Sequence, residues 1–384
     1  MAAYDVGIVG AGIHGASAAF HLAQRGVSTV IFEKGTPASG PTGRSSAVCR
    51  AYYTNPFLAG VARDSLQILA NFADVTGGGD SGYHRTGAMF LHPATDLPQL
   101  QQAAQQLNAL GVRADILTGS TLASALPGFE LSDIAAGAWE PEAGYADPAG
   151  TTLGMMRRAV QLGAMLRNGA RVRRIEMNGD VTVVTDDGDQ TSVGRLLIAA
   201  GPWTAPLVRQ VGMELPLSVE RHVVASYAWG AAPSIDFTFA DLIGGYYLKP
   251  EGTTQYQLGP LEESPRTDPE DFPEEIFDVE SAELAERVIR RVPGLSESEP
   301  RGGWASLYDV SPDWQPVIGQ VAERVFVDAG TSGHGFKLGP ALGRHVADLV
   351  TGEPVAEGLE QFAPQRFAQG ALLSGGYGAV RILG

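Results

Sequence analysis

The chain has 384 residues, 44% hydrophobic and 18% charged, which predicts a globular protein with room for two domains. Its net charge of −16 argues against nucleic acid or an anionic membrane as a partner, and no apolar run is long enough to span a bilayer. Cys49 is the only cysteine, which excludes an intrachain disulfide, and the scattered histidines lack metal-ligand spacing. Because the first predicted strand begins by residue 4, we expect no signal peptide and a cytoplasmic location.

The first predicted unit is a βαβ motif. Residues 4–9 form an apolar run typical of a buried parallel strand, a helical pattern continues through Arg25, and a second strand covers residues 27–32. The turn between strand and helix has the spacing G-x-G-x-x-G, and Glu33 follows its last glycine by 18 residues. In this context the turn predicts a dinucleotide site, with pyrophosphate at the helix N-terminus and ribose hydroxyls at the acid; an ordinary glycine-rich turn is the alternative. The turn supplies the candidate contacts Gly10, Gly12, Ile13, His14 and Gly15.

The next segments alternate between loops, helices and short strands. Residues 35–46 form a loop without periodicity next to the predicted nucleotide site, and residues 56–75 are predicted to be helical. A strand pattern within residues 83–93 precedes a polar helix at 97–110, and another short strand and turn follow at 138–147. The strands and the polar helix therefore read as an insertion into the nucleotide domain.

The remaining segments return to the nucleotide domain twice. A helix at 148–168, a hairpin at 170–185 and a buried strand at 195–200 are followed by alternating strands within 217–258. Residues 325–350 then read as a strand, a glycine-rich loop and a helix. We therefore predict two interleaved domains: a nucleotide domain of residues 1–82, 148–215 and 300–384, and a second domain of residues 83–147 and 216–299.

One segment carries much of the negative charge. Between Glu262 and Glu283 there are ten acidic residues and one basic residue, Arg266. With its three prolines the segment is predicted to be a solvated surface loop, and the alternative is a site for a basic partner.

Four blocks, taken in order, resemble the D-amino-acid-oxidase superfamily of FAD-dependent oxidoreductases. They are the glycine-rich turn, Ala200-Gly201-Pro202-Trp203, residues 307–313 (LYDVSPD) and Gly333-His334-Gly335-Phe336-Lys337. The resemblance is greatest to the branch of sarcosine oxidase, glycine oxidase and the proline dehydrogenase β-subunit. It implies a Rossmann-type FAD-binding domain (α/β) interleaved with a substrate domain built on a mostly antiparallel sheet.

The resemblance also implies a reaction. A secondary amine or amino acid, such as an N-methyl amino acid, glycine or an imino acid, would pass a hydride to flavin N5 and become an imine. Electrons would then pass to O₂ or another acceptor. Two alternatives stay open: a non-enzymatic FAD-binding assembly or scaffold subunit, and an FAD-dependent monooxygenase.

Lys337, Arg50 and Tyr247 match family positions that contact substrate. Lys337 matches a carboxylate-binding lysine. It stands at the start of a helix, where the dipole disfavours a cation and a bound anion would offset that effect. Arg50 matches a substrate-binding arginine, whose guanidinium can hold a carboxylate through two parallel bonds. Tyr247 and Tyr308 are candidate pocket residues, and His222 is either a strand residue or a pocket contact. The structural alternatives are a surface lysine, an ion pair and core packing.

The resemblance extends the set of predicted FAD contacts. Beside the turn and Glu33, they are Lys34, Arg44, Ser45, Ser46, Ala200, Gly201, Trp203, Gly333, His334, Gly335, Phe336 and Lys337.

Two departures from the family pattern affect the chemistry. Ser306 stands where monomeric sarcosine oxidases carry the cysteine that bonds to FAD, so we expect non-covalent FAD. Gln257 aligns with the family's oxygen-activating lysine, which puts fast reaction with oxygen in doubt unless the nearby Lys249 substitutes.

Overall fold

The computed structural model describes residues 3–375; residues 1–2 and 376–384, which the predicted domain ranges include, lie outside the described residues. No helix in this part of the chain combines the length and apolarity needed to cross a bilayer. The strands are β1 (Tyr4–Val9), β2 (Thr29–Glu33), β3 (Val48–Cys49), β4 (Ala88–His92), β5 (Asp115–Leu117), β6 (Ala136–Glu140), β7 (Gly144–Tyr145), β8 (Met165–Asn168), β9 (Val172–Asn178), β10 (Asp180–Thr185), β11 (Gln190–Ile198), β12 (Ser218–Ala228), β13 (Thr238–Asp241), β14 (Tyr246–Glu251), β15 (Gln255–Pro260), β16 (Glu299–Val310), β17 (Val317–Ala322) and β18 (Val325–Ala329). The α-helices are α1 (Ile13–Gln24), α2 (Pro56–Ala70), α3 (Phe72–Thr76), α4 (Leu97–Ala109), α5 (Gly119–Ala125), α6 (Pro148–Gln161), α7 (Thr204–Arg209), α8 (Asp278–Arg291), α9 (Gly335–Thr351) and α10 (Gln365–Ala368).

The first sheet is built on five parallel strands. Its order is β17-β18-β11-β1-β2-β8, and β10 and β9 continue antiparallel from β11. Helices α6 and α9 both pack against α1. The Rossmann-type prediction is confirmed. The prediction of a helix through Asn168 was wrong at its end, because Gly163 takes a φ of +107° and residues 165–168 pair with β2 instead.

The second sheet is mostly antiparallel, as predicted. Its order is β16-β12-β15-β14-β13-β4-β6-β5, and of these neighbours only β13 and β4 run parallel. One face packs on α8 through apolar residues such as Leu248 and Leu284. Side chains alternate between the two faces along each strand, and this places His222, Tyr247 and Tyr308 next to one another on the opposite face. This second face is the one that meets the first domain.

The second sheet extends past a predicted domain limit. Strand β16 pairs with β12 as far as Ser218↔Val310, whereas the prediction returns to the nucleotide domain at residue 300. The strand pairing explains the difference, because hydrogen bonds to β12 keep β16 in the second sheet as far as Val310. The other domain limits stay a prediction.

Close packing of α9 on α1 depends on two glycines one helical turn apart. A Cβ on Gly343 would lie 2.2 Å from Oγ of Ser17, and one on Gly339 would lie 2.7 Å from the side chain of Ile13. The hydroxyl of Ser17 donates to the carbonyl of Pro340 at 2.9 Å, which ties the two backbones together. The contact brings the first turns of both helices, and the glycine-rich loops before them, to one place.

We predict opposite effects for two glycine-to-alanine changes in helices. Gly343→Ala should lower the free energy of unfolding by about 1–3 kcal/mol, because the new methyl group overpacks the α1–α9 contact. A Cβ on Gly60, in α2, would meet no atom within 4 Å. Gly60→Ala should therefore raise the free energy of unfolding by up to about 1 kcal/mol, because alanine has the higher helix propensity. Urea unfolding of both variants checks this, and equal effects would contradict the packing argument.

Candidate functional site

A cavity of about 1050 Å³ opens where the carboxyl ends of β1, β2, β11 and β18 meet the second sheet. Ligands of open α/β sheets bind at this kind of edge. Four predicted site residues, Gly15, Arg50, His334 and Lys337, do not line the cavity. Those that do are Gly10, Gly12, Ile13, His14, Glu33, Lys34, Arg44, Ser45, Ser46, Ala200, Gly201, Trp203, Tyr247, Tyr308, Gly333, Gly335 and Phe336.

The glycine-rich turn has the geometry of a pyrophosphate cradle. Gly10 has a φ of +104°, and a Cβ there would lie 2.3 Å from the carbonyl oxygen of Ala199. A Cβ on Gly15 would lie 2.0 Å from the carbonyl oxygen of Gly10, so only glycine lets α1 start this close to β1. The N-terminus of α1 therefore faces the cavity with backbone N–H groups, which suit an anionic phosphate.

Glu33 has a structural task in addition to its predicted one. Its carboxylate accepts hydrogen bonds from the N–H groups of Ala11 at 2.8 Å and Gly35 at 2.7 Å. These bonds tie the end of β2 to the glycine-rich turn. Each carboxylate oxygen can accept a further bond, so the ribose role stays compatible with this geometry.

The acidic segment is not merely a solvated loop, and this corrects the sequence interpretation. Residues from Asp278 onward belong to α8, and Asp268–Phe272 and Glu274 line the cavity. Glu270 accepts a hydrogen bond from Nε1 of Trp203 at 2.7 Å, which anchors the segment to the first domain. The accompanying ion pairs are Glu270 with Lys34 and Arg171, and Glu274 with Arg44. The segment's carboxylates thus neutralise cations at the cavity mouth.

Arg50 and Lys337 come together from distant segments. Lys337 lies in the first turn of α9, and its Nζ donates to the carbonyl oxygen of Gly333 at 3.1 Å. Arg50 is buried, with its guanidinium 4.5 Å from the centre of the Tyr53 ring. Burial and the nearby charge of Arg50 lower the pKa of Lys337 to about 7. Because Gly333 lines the cavity, the ammonium group of Lys337 lies next to the cavity wall, and Arg50 is near enough to act on its charge.

Sequence reasoning missed a buried carboxylate beside this pair. Glu140 accepts hydrogen bonds from the N–H groups of Ala51 at 2.7 Å and Tyr52 at 3.0 Å, so it fixes the backbone directly after Arg50. Burial raises the pKa of Glu140 to about 7, against the opposing effects of those bonds and of Arg50. Strand alternation was the available signal, since residues 136, 138 and 140 share one face and the first two are alanines.

Two glycines make room for the predicted pocket tyrosines. A Cβ on Gly259 would lie 2.4 Å from the ring of Tyr247, and one on Gly333 would lie 2.5 Å from the ring of Tyr308. The hydroxyl of Tyr247 donates to Oγ of Ser46 at 2.9 Å, which links the second sheet to the loop before Arg50. Both tyrosines therefore sit in the cavity wall in fixed positions.

Lys249 is ion-paired in the structure. It stands opposite Gln257 in the register of β14 and β15, and its Nζ lies 2.5 Å from a carboxylate oxygen of Glu251. Gln257 donates to the same carboxylate at 3.1 Å, and neither residue lines the cavity. Glu251 therefore neutralises the cation that was considered as a substitute for the family lysine.

Comparison with known proteins bears on the nature of the bound group. The family model described as FAD dependent oxidoreductase (DAO) matches residues 5–349. The chain belongs to this family. The cradle at α1 and the cavity beyond it fit FAD, and the protein is an FAD-dependent oxidoreductase.

Individual relatives of this FAD-dependent oxidoreductase differ in length. Mouse (Mus musculus) peroxisomal sarcosine oxidase is 28% identical over 386 residues, covering 95% of this chain and 96% of the relative. The 4-methylaminobutanoate oxidase (formaldehyde-forming) of Paenarthrobacter nicotinovorans is 24% identical over 369 residues, and the chain spans only 44% of its length. The crystal structure of L-proline dehydrogenase from P. horikoshii superposes with a TM-score of 0.87 at 24% identity, covering 96% of this chain and 99% of that one.

We predict that acid precipitation releases all flavin as FAD. Ser306, opposite His222 in the register of β12 and β16, lies in the cavity wall, and a serine cannot form the thioether that a cysteine forms. Denatured protein should therefore pellet colourless, and the supernatant should show the FAD spectrum. Flavin that stays on the polypeptide would contradict this.

Proposed function

We propose that this oxidoreductase acts on a secondary amine or amino acid that carries a carboxylate, of the N-methyl amino acid, glycine or imino acid class. Bound FAD supplies the acceptor for the hydride from the carbon beside nitrogen, and water hydrolyses the resulting imine. The observation that carries the proposal is the nearby pair of cations, the buried Arg50 and the half-buried Lys337, whose ammonium group bonds to Gly333 in the cavity wall.

An anion would stabilise the charged forms of both side chains. Burial and the nearby charge of Arg50 disfavour the protonated form of Lys337, and its lowered pKa expresses this cost. A substrate carboxylate would offset this cost with its negative charge and accept hydrogen bonds from both side chains. Lys337 would exchange its bond to the carbonyl of Gly333 for one to the carboxylate. Glu140 would keep Arg50 in position through the backbone of Ala51 and Tyr52.

The tyrosines would shape the other side of the substrate site. Tyr247 and Tyr308 present large rings to the cavity, and we propose that they exclude water and orient the amine. Two relatives support the substrate class, since sarcosine and 4-methylaminobutanoate, named in the relatives above, each combine a secondary amine with a carboxylate. Retention of both cations favours an enzyme over a scaffold subunit.

The electron acceptor and the location are part of the proposal. O₂ or another acceptor takes the electrons, and the ion-paired Lys249 beside Gln257 favours an acceptor other than O₂. The cytoplasm is the proposed location, because the single cysteine, Cys49, allows no intrachain disulfide.

Removal of either cation should discriminate between substrates. Arg50→Ala and Lys337→Ala should each cost about 2–4 kcal/mol of transition-state binding for an amino acid, since a buried charge pair is left half-made. The loss should be far smaller for the matched amine without the carboxylate. Anaerobic flavin reduction on both substrates measures this as kcat/KM. Equal losses would mean that the two residues serve the flavin or the fold.

Binding of a carboxylate should depend on pH. With the pKa of free Lys337 at about 7, the dissociation constant of a competitive carboxylic acid should be flat below pH 7 and rise up to tenfold per pH unit above it. The reason is that only the protonated ammonium attracts the anion. Titrations followed by flavin absorbance measure this profile. Lys337→Met should flatten the profile, whereas Glu140→Gln, which changes the other nearby group, should leave its rise in place.

A further inference from the structure

A histidine in the glycine-rich turn connects both flavin-side loops. Nδ1 of His14 lies 2.8 Å from Oδ2 of Asp328, at the end of β18, and Nε2 lies 3.1 Å from the carbonyl oxygen of Gly335, at the start of α9. An ionised carboxylate and a carbonyl can only accept hydrogen bonds. Both ring nitrogens therefore face acceptors, and the arrangement is satisfied when His14 is an imidazolium.

The surroundings of His14 support this charge. Burial opposes it, but the carboxylates of Asp328 and Asp309 and the carbonyl of Gly335 outweigh burial and raise the pKa of His14. Each oxygen of Asp309 already accepts a bond within the chain, Oδ2 from the N–H of Gly330 at 2.6 Å and Oδ1 from the hydroxyl of Thr331 at 3.3 Å.

The second carboxylate oxygen of Asp328, Oδ1, is not the one that contacts His14. The side chain of Asp328 is fully buried and lines the cavity, and within residues 3–375 Oδ1 has no hydrogen-bond partner. A buried acceptor without a partner is costly, so Oδ1 calls for a donor that the chain itself does not supply. Because Asp328 lines the cavity, a group that fills the cavity is placed to supply this donor.

The position of Asp328 identifies which part of FAD can supply that donor. Glu33, at the end of β2, is the predicted ribose ligand on one side of the turn that follows β1. Asp328 is the second-to-last residue of β18, which lies on the opposite side of β1 in the sheet order and leads into the loop of residues 330–335. Between the pyrophosphate and the flavin ring, FAD carries the ribityl chain, whose three hydroxyl groups are hydrogen-bond donors.

We propose that Asp328 accepts a hydrogen bond from a ribityl hydroxyl of FAD, and that His14 is a positioning residue that holds this carboxylate in place. The contact between Nδ1 of His14 and Oδ2 of Asp328 fixes the carboxylate and leaves Oδ1 for the hydroxyl. The inference rests on FAD binding and is independent of the proposed substrate.

The experiment compares FAD with analogues that each lack one of the three ribityl hydroxyls. Apo-protein is titrated with each flavin, and the dissociation constant is read from quenching of flavin fluorescence. For the unchanged protein, one analogue should bind about ten- to a hundredfold more weakly than FAD, as expected for a hydrogen bond to a charged group. In Asp328→Ala the same ratio should fall to within about twofold of unity, and in Asp328→Asn, which keeps the shape, it should be intermediate.

Asp309→Asn is the matched control. It changes a buried carboxylate in the same cavity wall whose oxygens are already bonded within the chain and leaves the Asp328–His14 contact in place, so the analogue ratio should fall much less than in Asp328→Ala. A ratio that is the same in Asp328→Ala, Asp328→Asn and the unchanged protein would overturn the proposal. If Asp328→Ala does not fold, the isosteric Asp328→Asn decides by the same comparison.

The role of His14 has its own measurement. Nitrogen-15 NMR of histidine-labelled FAD-bound protein should show His14 doubly protonated at pH 7, above the ordinary histidine pKa of about 6.5, and Asp328→Asn should convert it to a neutral ring. His14→Gln should weaken FAD binding and reduce the analogue ratio, because the carboxylate loses its partner. A neutral His14 in the unchanged protein, or an undiminished ratio in His14→Gln, would refute the positioning role.

Discussion

The site depends on the close approach of α1 and α9. Gly339 and Gly343 let the two helices touch backbone to backbone, so the turn before α1 and the loop before α9 open into the same cavity. Two helix N-termini then point partial positive charge into one volume, which suits a group with an anionic centre. The imidazole of His14 links the two loops directly. A bulkier contact between the helices would separate the two halves of the cofactor site.

The region around Arg50 depends on buried charge. Arg50, Lys337 and Glu140 reach it from three distant segments of the chain. Burial lowers the pKa of Lys337 and raises that of Glu140, so that both titrate near neutrality. Such opposed shifts in one cluster are typical of functional sites.

The sequence patterns predicted those features that depend on only a few neighbouring residues. The turn Gly10–Gly15 and the acid at Glu33 could be read from spacing, because the glycine requirement arises within a few residues. The roles of Asp328 and Glu140 could not, since Glu140 bonds to backbone 88 residues earlier in the chain and Asp328 to a histidine 314 residues away. Strand β8 was not predicted for a related reason: its four residues form a strand because they pair with β2.

The acidic segment at the cavity mouth is attached through charges that dissolved salt can reach. Its anchoring pairs, such as Lys34–Glu270, are substantially exposed, with 37% and 48% of the two side chains accessible. Dissolved salt screens exposed charges of this kind but hardly reaches the buried Arg50. Ionic strength therefore acts on the attachment of the acidic segment at the cavity mouth and leaves the charges deeper in the site largely unchanged.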